Sequence, residues 1–225
     1  KDIPPTLELP EEDGEPLEDS WHRYQMNLLI DCIKTDKTGK EKYYVGGNMF
    51  IYFMLEQVEK IGYKGPDFFF VKNPKESGHY RGKWVVWKED GKFPNIIIEL
   101  LSPSTKKEDL IHKKALYEKV FKTPEYFCVD NEKPQLYGWR LNNQTYQEIQ
   151  SDSKGFLFSQ ELGYKLGMWK GKYLQEENVY LRFFNENYEL ILTRGELEHK
   201  RAEKEKQRAD KLEQELLELK KKLKL

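Results

Sequence analysis

Asn95–Ser104 reads NIIIELLSPS. Three isoleucines run into Glu99, and two leucines follow it. A continuous apolar run of this kind marks a strand covered on both faces, as in the middle of an α/β sheet. A carboxylate placed inside such a run costs roughly several kcal/mol unless its charge is met. Three kinds of neighbour can meet it: a buried cation, a set of hydrogen-bond donors, or a metal ion. The sequence around Glu99 has to supply one of them.

Downstream, SPSTKKEDLIHKKALYEKVF reads as a helix, with Ser104 or Thr105 as its cap and Leu110, Lys113 and Tyr117 about a turn apart. PEYFCVD is a second buried strand, and QLYGWRL with TYQEIQ forms a hairpin. Upstream, a short strand over Phe68–Val71 is entered through Pro66-Asp67, and YYVGGNMFIYFM reads as strand with a bend at Gly46-Gly47. Another short strand is expected at Trp84–Trp87. In WHRYQMNLLIDCIK, Trp21, Tyr24, Leu28 and Cys32 recur at three- and four-residue steps, and Leu29 widens the stripe. This is an amphipathic helix that Asp19 or Ser20 can cap. Together the elements make an α/β domain over residues 19–193, with short strands and turns continuing to about Leu192.

Two flanking segments differ in composition. Residues 1–18 are rich in proline and acid and read as an extended arm. Residues 194–225 form a charged helical tail, in which Leu212, Leu216, Leu219 and Leu223 follow the 4-3-4 spacing of a coiled coil. Ala202 and Ala209 extend that seam weakly upstream. So few apolar heptads make an isolated helix marginal; the tail either pairs with another chain or stands as a solvated single helix.

Over all 225 residues the net charge is −1, so any nucleic-acid surface would have to be a local patch. The loop around Lys72, Lys75, Arg81, Lys83, Trp84, Trp87, Lys88 and Lys92 mixes basic and aromatic residues as such surfaces do, but Glu76, Glu89 and Asp90 dilute it. Cys32 and Cys128 have no metal-ligand spacing and fit a reducing compartment. No apolar run is long enough to span a membrane and no signal peptide opens the chain, so a soluble cytoplasmic protein is expected. Phosphate-cradling glycine loops and zinc-ligand spacings are absent from the sequence.

The ordered series of Asp67 at a strand entry, Glu99 in a buried strand, a helix carrying Asp109, Lys113 and Tyr117, and a second buried strand resembles the PD-(D/E)XK nuclease fold. PDFFFV, IIIELLSPS and PEYFCVD together are similar to the Uma family of bacterial proteins, as are EDGEPLEDSWHRYQ, QLYGWRL and the charged tail. The resemblance implies a restriction-endonuclease-like central mixed sheet flanked by helices, with a C-terminal helical or coiled-coil tail. It also implies a metal-dependent endonuclease hydrolysing phosphodiester bonds of nucleic acid, DNA in the first place. Asp67, Glu99 and the main-chain carbonyl of Leu100 would then hold Mg²⁺ or Mn²⁺ through oxygen. Lys113 would be the catalytic lysine, with Asp109 orienting it and Tyr117 on the same face.

Two positions depart from the pattern. Leu101 stands where the nuclease lysine is usual, and Asn48 stands where this branch has an acid. Both favour the alternative of an inactive nuclease-fold module that uses its tail to dimerise or dock a partner. A structural Glu99–Lys113 ion pair is the bland counterpart of the metal site. Glu18 reads as a loose surface carboxylate. His22, His79 and His112 have no ligand-like spacing and read as packing or surface residues.

Overall fold

The computed structural model describes residues 19–54, 65–76 and 80–222. The acidic arm, Glu18, His79 and Leu223 lie outside the described residues. The chain divides into two compact units between Ile191 and Leu192.

The first unit is built on a six-stranded mixed sheet of order β1-β3-β5-β6-β7-β8. Its strands are β1 (Tyr43–Gly46), β3 (Phe68–Lys72), β5 (Ile96–Leu101), β6 (Glu125–Asp130), β7 (Gln135–Asn142) and β8 (Thr145–Glu148). The central pair, β5 and β6, is parallel, and β3 and β7 flank it antiparallel. All six residues of β5 and of β6 are buried, the burial on both faces expected of their apolar runs.

Alternate residues enter two separate cores. Phe68, Phe70, Ile96, Ile98, Leu100, Phe127 and Val129 point to one face. There they meet helix α1 (Ser20–Lys37) and a three-stranded sheet of β9 (Leu157–Ser159), β10 (Tyr164–Tyr173) and β11 (Glu176–Phe184). Phe69, Val71, Ile97, Leu101, Tyr126 and Cys128 point to the other. That face is covered by helix α2, over 106–121, and by the parallel pair β2 (Ile51–Tyr52) and β4 (Trp84–Val85). Cys32 and Cys128 are free thiols buried in different cores.

Helix α1 begins at Asp19, whose carboxylate accepts the His22 N–H. The helix lies against the edge of β11. Gln25 donates to the Leu181 carbonyl at 3.0 Å and accepts the Leu181 N–H at 2.7 Å, so one side-chain amide replaces a neighbouring strand there. The Trp21 indole N–H donates to the Val179 carbonyl on the same edge, two residues away.

Three local readings differ from the structure. The aromatic stretch after Lys42 is not one bent strand but two strands in different sheets, β1 and β2. The chain turns between them at Gly47, where a Cβ would stand 2.3 Å from the Asp67 carbonyl oxygen, and at Asn48, which is left-handed at φ 46°. The expected strand at Trp84–Trp87 stops at Val85 and gives way to a 3₁₀ turn over Val86–Lys88. Helix α2 is regular α-helix only in part, with π-type stretches over Glu108–Lys113 and Tyr117–Phe121.

The second unit carries α3 (Arg194–Lys222), on which Leu212, Leu216 and Leu219 are each more than half exposed.

Candidate active site

Strand β3 pairs with β5 only as far as Phe68 opposite Ile98. Beyond that point β5 continues as Glu99, Leu100 and Leu101, with no strand among the described residues on the β3 side, and side chains take over. Asp67, one residue before β3, accepts the Leu100 N–H on its carboxylate at 2.7 Å. Its own N–H lies 3.4 Å from a Glu99 carboxylate oxygen, which brings the two carboxyl groups side by side. Asp67 and Glu99 both have the parity of the face that α2 covers, so the helix contributes the remaining groups.

From α2, Lys113 places its ammonium 3.0 Å from Glu99 and 2.8 Å from Asp109. The Tyr117 hydroxyl donates to the other Glu99 oxygen at 2.8 Å. Glu99 is completely buried, and Asp109 and Tyr117 nearly so. The structure thus brings together all five side chains singled out in the sequence. The sixth group, the Leu100 carbonyl, faces the His22 ring nitrogen Nε2 at 3.1 Å.

Among the described residues, one ammonium stands with three carboxyl groups in this cluster, paired directly with Glu99 and Asp109, which leaves two of these negative charges uncompensated if all are ionised. The consequence falls on Glu99. Burial pushes its pKa up; Lys113 works against that, and Asp67 and Asp109 add to it, so that it stands at about 8. Asp67 is also raised, by burial first, against the pull of Lys113 and the Leu100 N–H. Burial alone would lower the Lys113 pKa, but Glu99, Asp109 and Asp67 hold it above the ordinary lysine value. Without further positive charge, the Asp67–Glu99 pair keeps a proton near neutral pH.

The donors that could hold a cation here are all oxygen: the two carboxylates and the Leu100 carbonyl. Such a set suits a hard divalent ion that keeps several of its own waters. Among the described residues no group of three or more histidine, cysteine, aspartate or glutamate side chains forms a closed metal cage.

The departures have structural explanations. Leu101, two residues after Glu99, is buried in the apolar core beside Tyr117 and Phe121, and the ammonium arrives instead from Lys113. Asn48 serves the backbone: it adopts the left-handed conformation and donates its N–H to the Pro66 carbonyl, next to Asp67. His112 is exposed, as expected. His22 is buried at the start of α1, and its ring also reaches the Leu100 carbonyl. A visible signal was its spacing from Asp19, three residues away at a helix start.

The basic and aromatic loop is largely committed to its own fold. Arg81 lies over the rings of Tyr44 and Trp84, at 4.8 and 5.3 Å, and pairs with Glu89 at 2.7 Å. Lys72 pairs with Glu161, Lys75 with Asp90, and Trp84 is fully buried. Among the described residues, no helix is long and apolar enough to cross a membrane.

The Uma2 family, described as "Putative restriction endonuclease", matches residues 6–174 of the 225. A crystal structure described as that of "a putative nuclease belonging to DUF820", from Anabaena variabilis, is similar over 62% of this chain and 74% of that chain, with 14% sequence identity and a TM-score of 0.43. No curated protein matches the chain.

Proposed function

The chain belongs to the Uma2 family of restriction-endonuclease-like proteins, and from that premise we propose that it is a metal-dependent endonuclease that hydrolyses phosphodiester bonds of DNA. One observation carries this reading: among the described residues, a buried cluster of three carboxyl groups and one ammonium, with the surplus negative charge on the Asp67–Glu99 side. A purely structural ion pair would need one carboxylate for one lysine. The surplus fits a site that takes up a divalent cation, Mg²⁺ or Mn²⁺, on Asp67, Glu99 and the Leu100 carbonyl.

When bound there, such an ion polarises a phosphodiester oxygen and activates a water. The residues of this chain do the rest. Asp109 and Glu99 both hold the Lys113 ammonium, and a lysine so fixed would meet the negative charge that develops on a phosphate. Tyr117 fixes the second oxygen of Glu99, which limits that carboxylate to one orientation. The tail offers a means of joining two copies, so that each cuts one strand. With Ala209, Leu216 and Leu223 as one apolar series and Leu212 and Leu219 as the other, a parallel in-register pair sets Arg208 against Glu213 and Glu215 against Lys220 of the second copy. Both pairings are attractive.

The test is cleavage of supercoiled DNA, single-stranded DNA and RNA with Mg²⁺, Mn²⁺ or chelator, beside Glu99→Ala. Cutting of DNA that chelator stops and the substitution abolishes is the expected result. No cutting of any substrate, together with no Mn²⁺ binding by calorimetry, would return the protein to the inactive-module reading.

A further inference from the structure

The backbone N–H and C=O of Leu100 are each held by a side chain, where β5 has outrun its neighbour β3. Its N–H is taken by Asp67 at 2.7 Å and its carbonyl oxygen faces Nε2 of His22 at 3.1 Å. His22 comes from a different part of the chain, the first turn of α1, and only 7% of it is exposed. A carbonyl oxygen can only accept a hydrogen bond, so Nε2 is the donor. The other ring nitrogen, Nδ1, lies 3.0 Å from an Asp19 carboxylate oxygen that also receives the His22 N–H at 2.9 Å. That oxygen too can only accept, so the contact is a hydrogen bond when the ring carries a proton on both nitrogens, and one carboxylate oxygen then both starts the helix and holds the ring. The Trp21 ring, edge-on at 5.4 Å, closes its side.

We infer that His22 is a positioning residue of the site: its Nε2–H fixes the Leu100 carbonyl as the third oxygen donor beside Asp67 and Glu99, and Asp19 fixes the ring. This rests on the metal-dependent reading above. A carbonyl oxygen has two lone pairs, so one hydrogen bond leaves the second for a cation. Groups that orient the ligands of a metal commonly contribute about 10- to 100-fold to its affinity. The need for such a group follows from the fold. A carbonyl in the middle of a sheet is aligned by the next strand, whereas among the described residues no strand pairs with Leu100 on that side, and side chains hold it instead.

The experiment is Mn²⁺ binding by calorimetry to the full chain, its His22→Leu variant and its His22→Gln variant, with melting of all three in chelator. A glutamine places a side-chain N–H close to the position of Nε2. The expected result is Mn²⁺ binding at least about tenfold weaker for His22→Leu and within about threefold of the parent for His22→Gln, with melting in chelator little changed. Unchanged Mn²⁺ affinity in His22→Leu would overturn the inference, leaving His22 as helix packing. Equal weakening in both variants would also overturn it, because the ring and not its N–H would then matter. Should His22→Leu fail to fold, His22→Gln decides alone: retained affinity supports the role, and a tenfold loss defeats it. Absence of Mn²⁺ binding to the parent protein would instead sink the metal-dependent reading, and the role of His22 with it.

Discussion

At the scale of single residues, Glu99 is the group whose charge state the rest of the site decides. Its folded pKa, about 8, lies above the 4.5 of an ordinary glutamate. Between those values the folded protein holds a proton that the unfolded chain has released, so stability falls as pH rises. Asp67, raised in the same direction, adds to the trend. Melting in chelator from pH 4.5 to 8 is expected to show this decline. Mn²⁺ has to displace that proton, so its apparent affinity should climb up to about tenfold per pH unit over the same window, and calorimetry in buffers of different ionisation enthalpy should report the release. Glu99→Gln separates the roles. It removes one surplus charge while keeping the size of the side chain, so cleavage should fall at least about 100-fold, the scale of a lost electrostatic contact in a site. In chelator at pH 8 the same variant should melt no lower than the parent. A lower melting point would mean that the Glu99 charge stabilises the fold.

At the scale of elements, α2 sets the aim of Lys113. In a regular α-helix each four-residue step overshoots a full turn by about 40°, so Asp109, Lys113 and Tyr117 would spiral away from one line. The wider π turn undershoots, and alternating π, α and π stretches keep the three in a row facing Glu99. The Asp109 carbonyl marks the change: it accepts the Lys114 N–H, five residues on, and also the buried Tyr126 hydroxyl at 2.9 Å. Tyr126→Phe removes that second bond, at a cost of about 1 kcal/mol and thus a melting point about 2–4 °C lower. The cleavage rate should fall by more than that loss explains, roughly tenfold, because a helix that relaxes to α swings Lys113 away. None of this was legible in the sequence. Asp109, Lys113 and Tyr117 could be read because steps of four residues gather on one face of any helix, and β5 and β6 because continuous apolar runs name buried strands. The π register depends on a hydroxyl from another strand. The split between β1 and β2 depends on how near Gly47 comes to the Asp67 carbonyl, a contact between segments that no local pattern records. His22 was missed for a related reason: its partner, the Leu100 carbonyl, is a backbone atom 78 residues away.

At the scale of the whole molecule, the tail is expected to govern self-association. If α3 pairs in parallel, Leu216→Lys puts a charge in the seam and should weaken dimers at least about tenfold in sedimentation equilibrium, with the melting of the first unit unchanged. A parent protein that stays monomeric at every concentration would remove the tail from the account of cleavage. The Gln25 amide on Leu181 has a different consequence, which concerns solution behaviour. An outermost β-strand with free N–H and C=O groups is a template for strands of other molecules, and proteins survive by blocking it. Here α1 is the block, and Gln25 is the residue that makes a helix look like a strand to β11. Gln25→Leu strips the Leu181 backbone of both partners in a buried place, at about 1–3 kcal/mol for each group. Its expected signature is light scattering that grows with protein concentration, as exposed β11 edges recruit one another into aggregates.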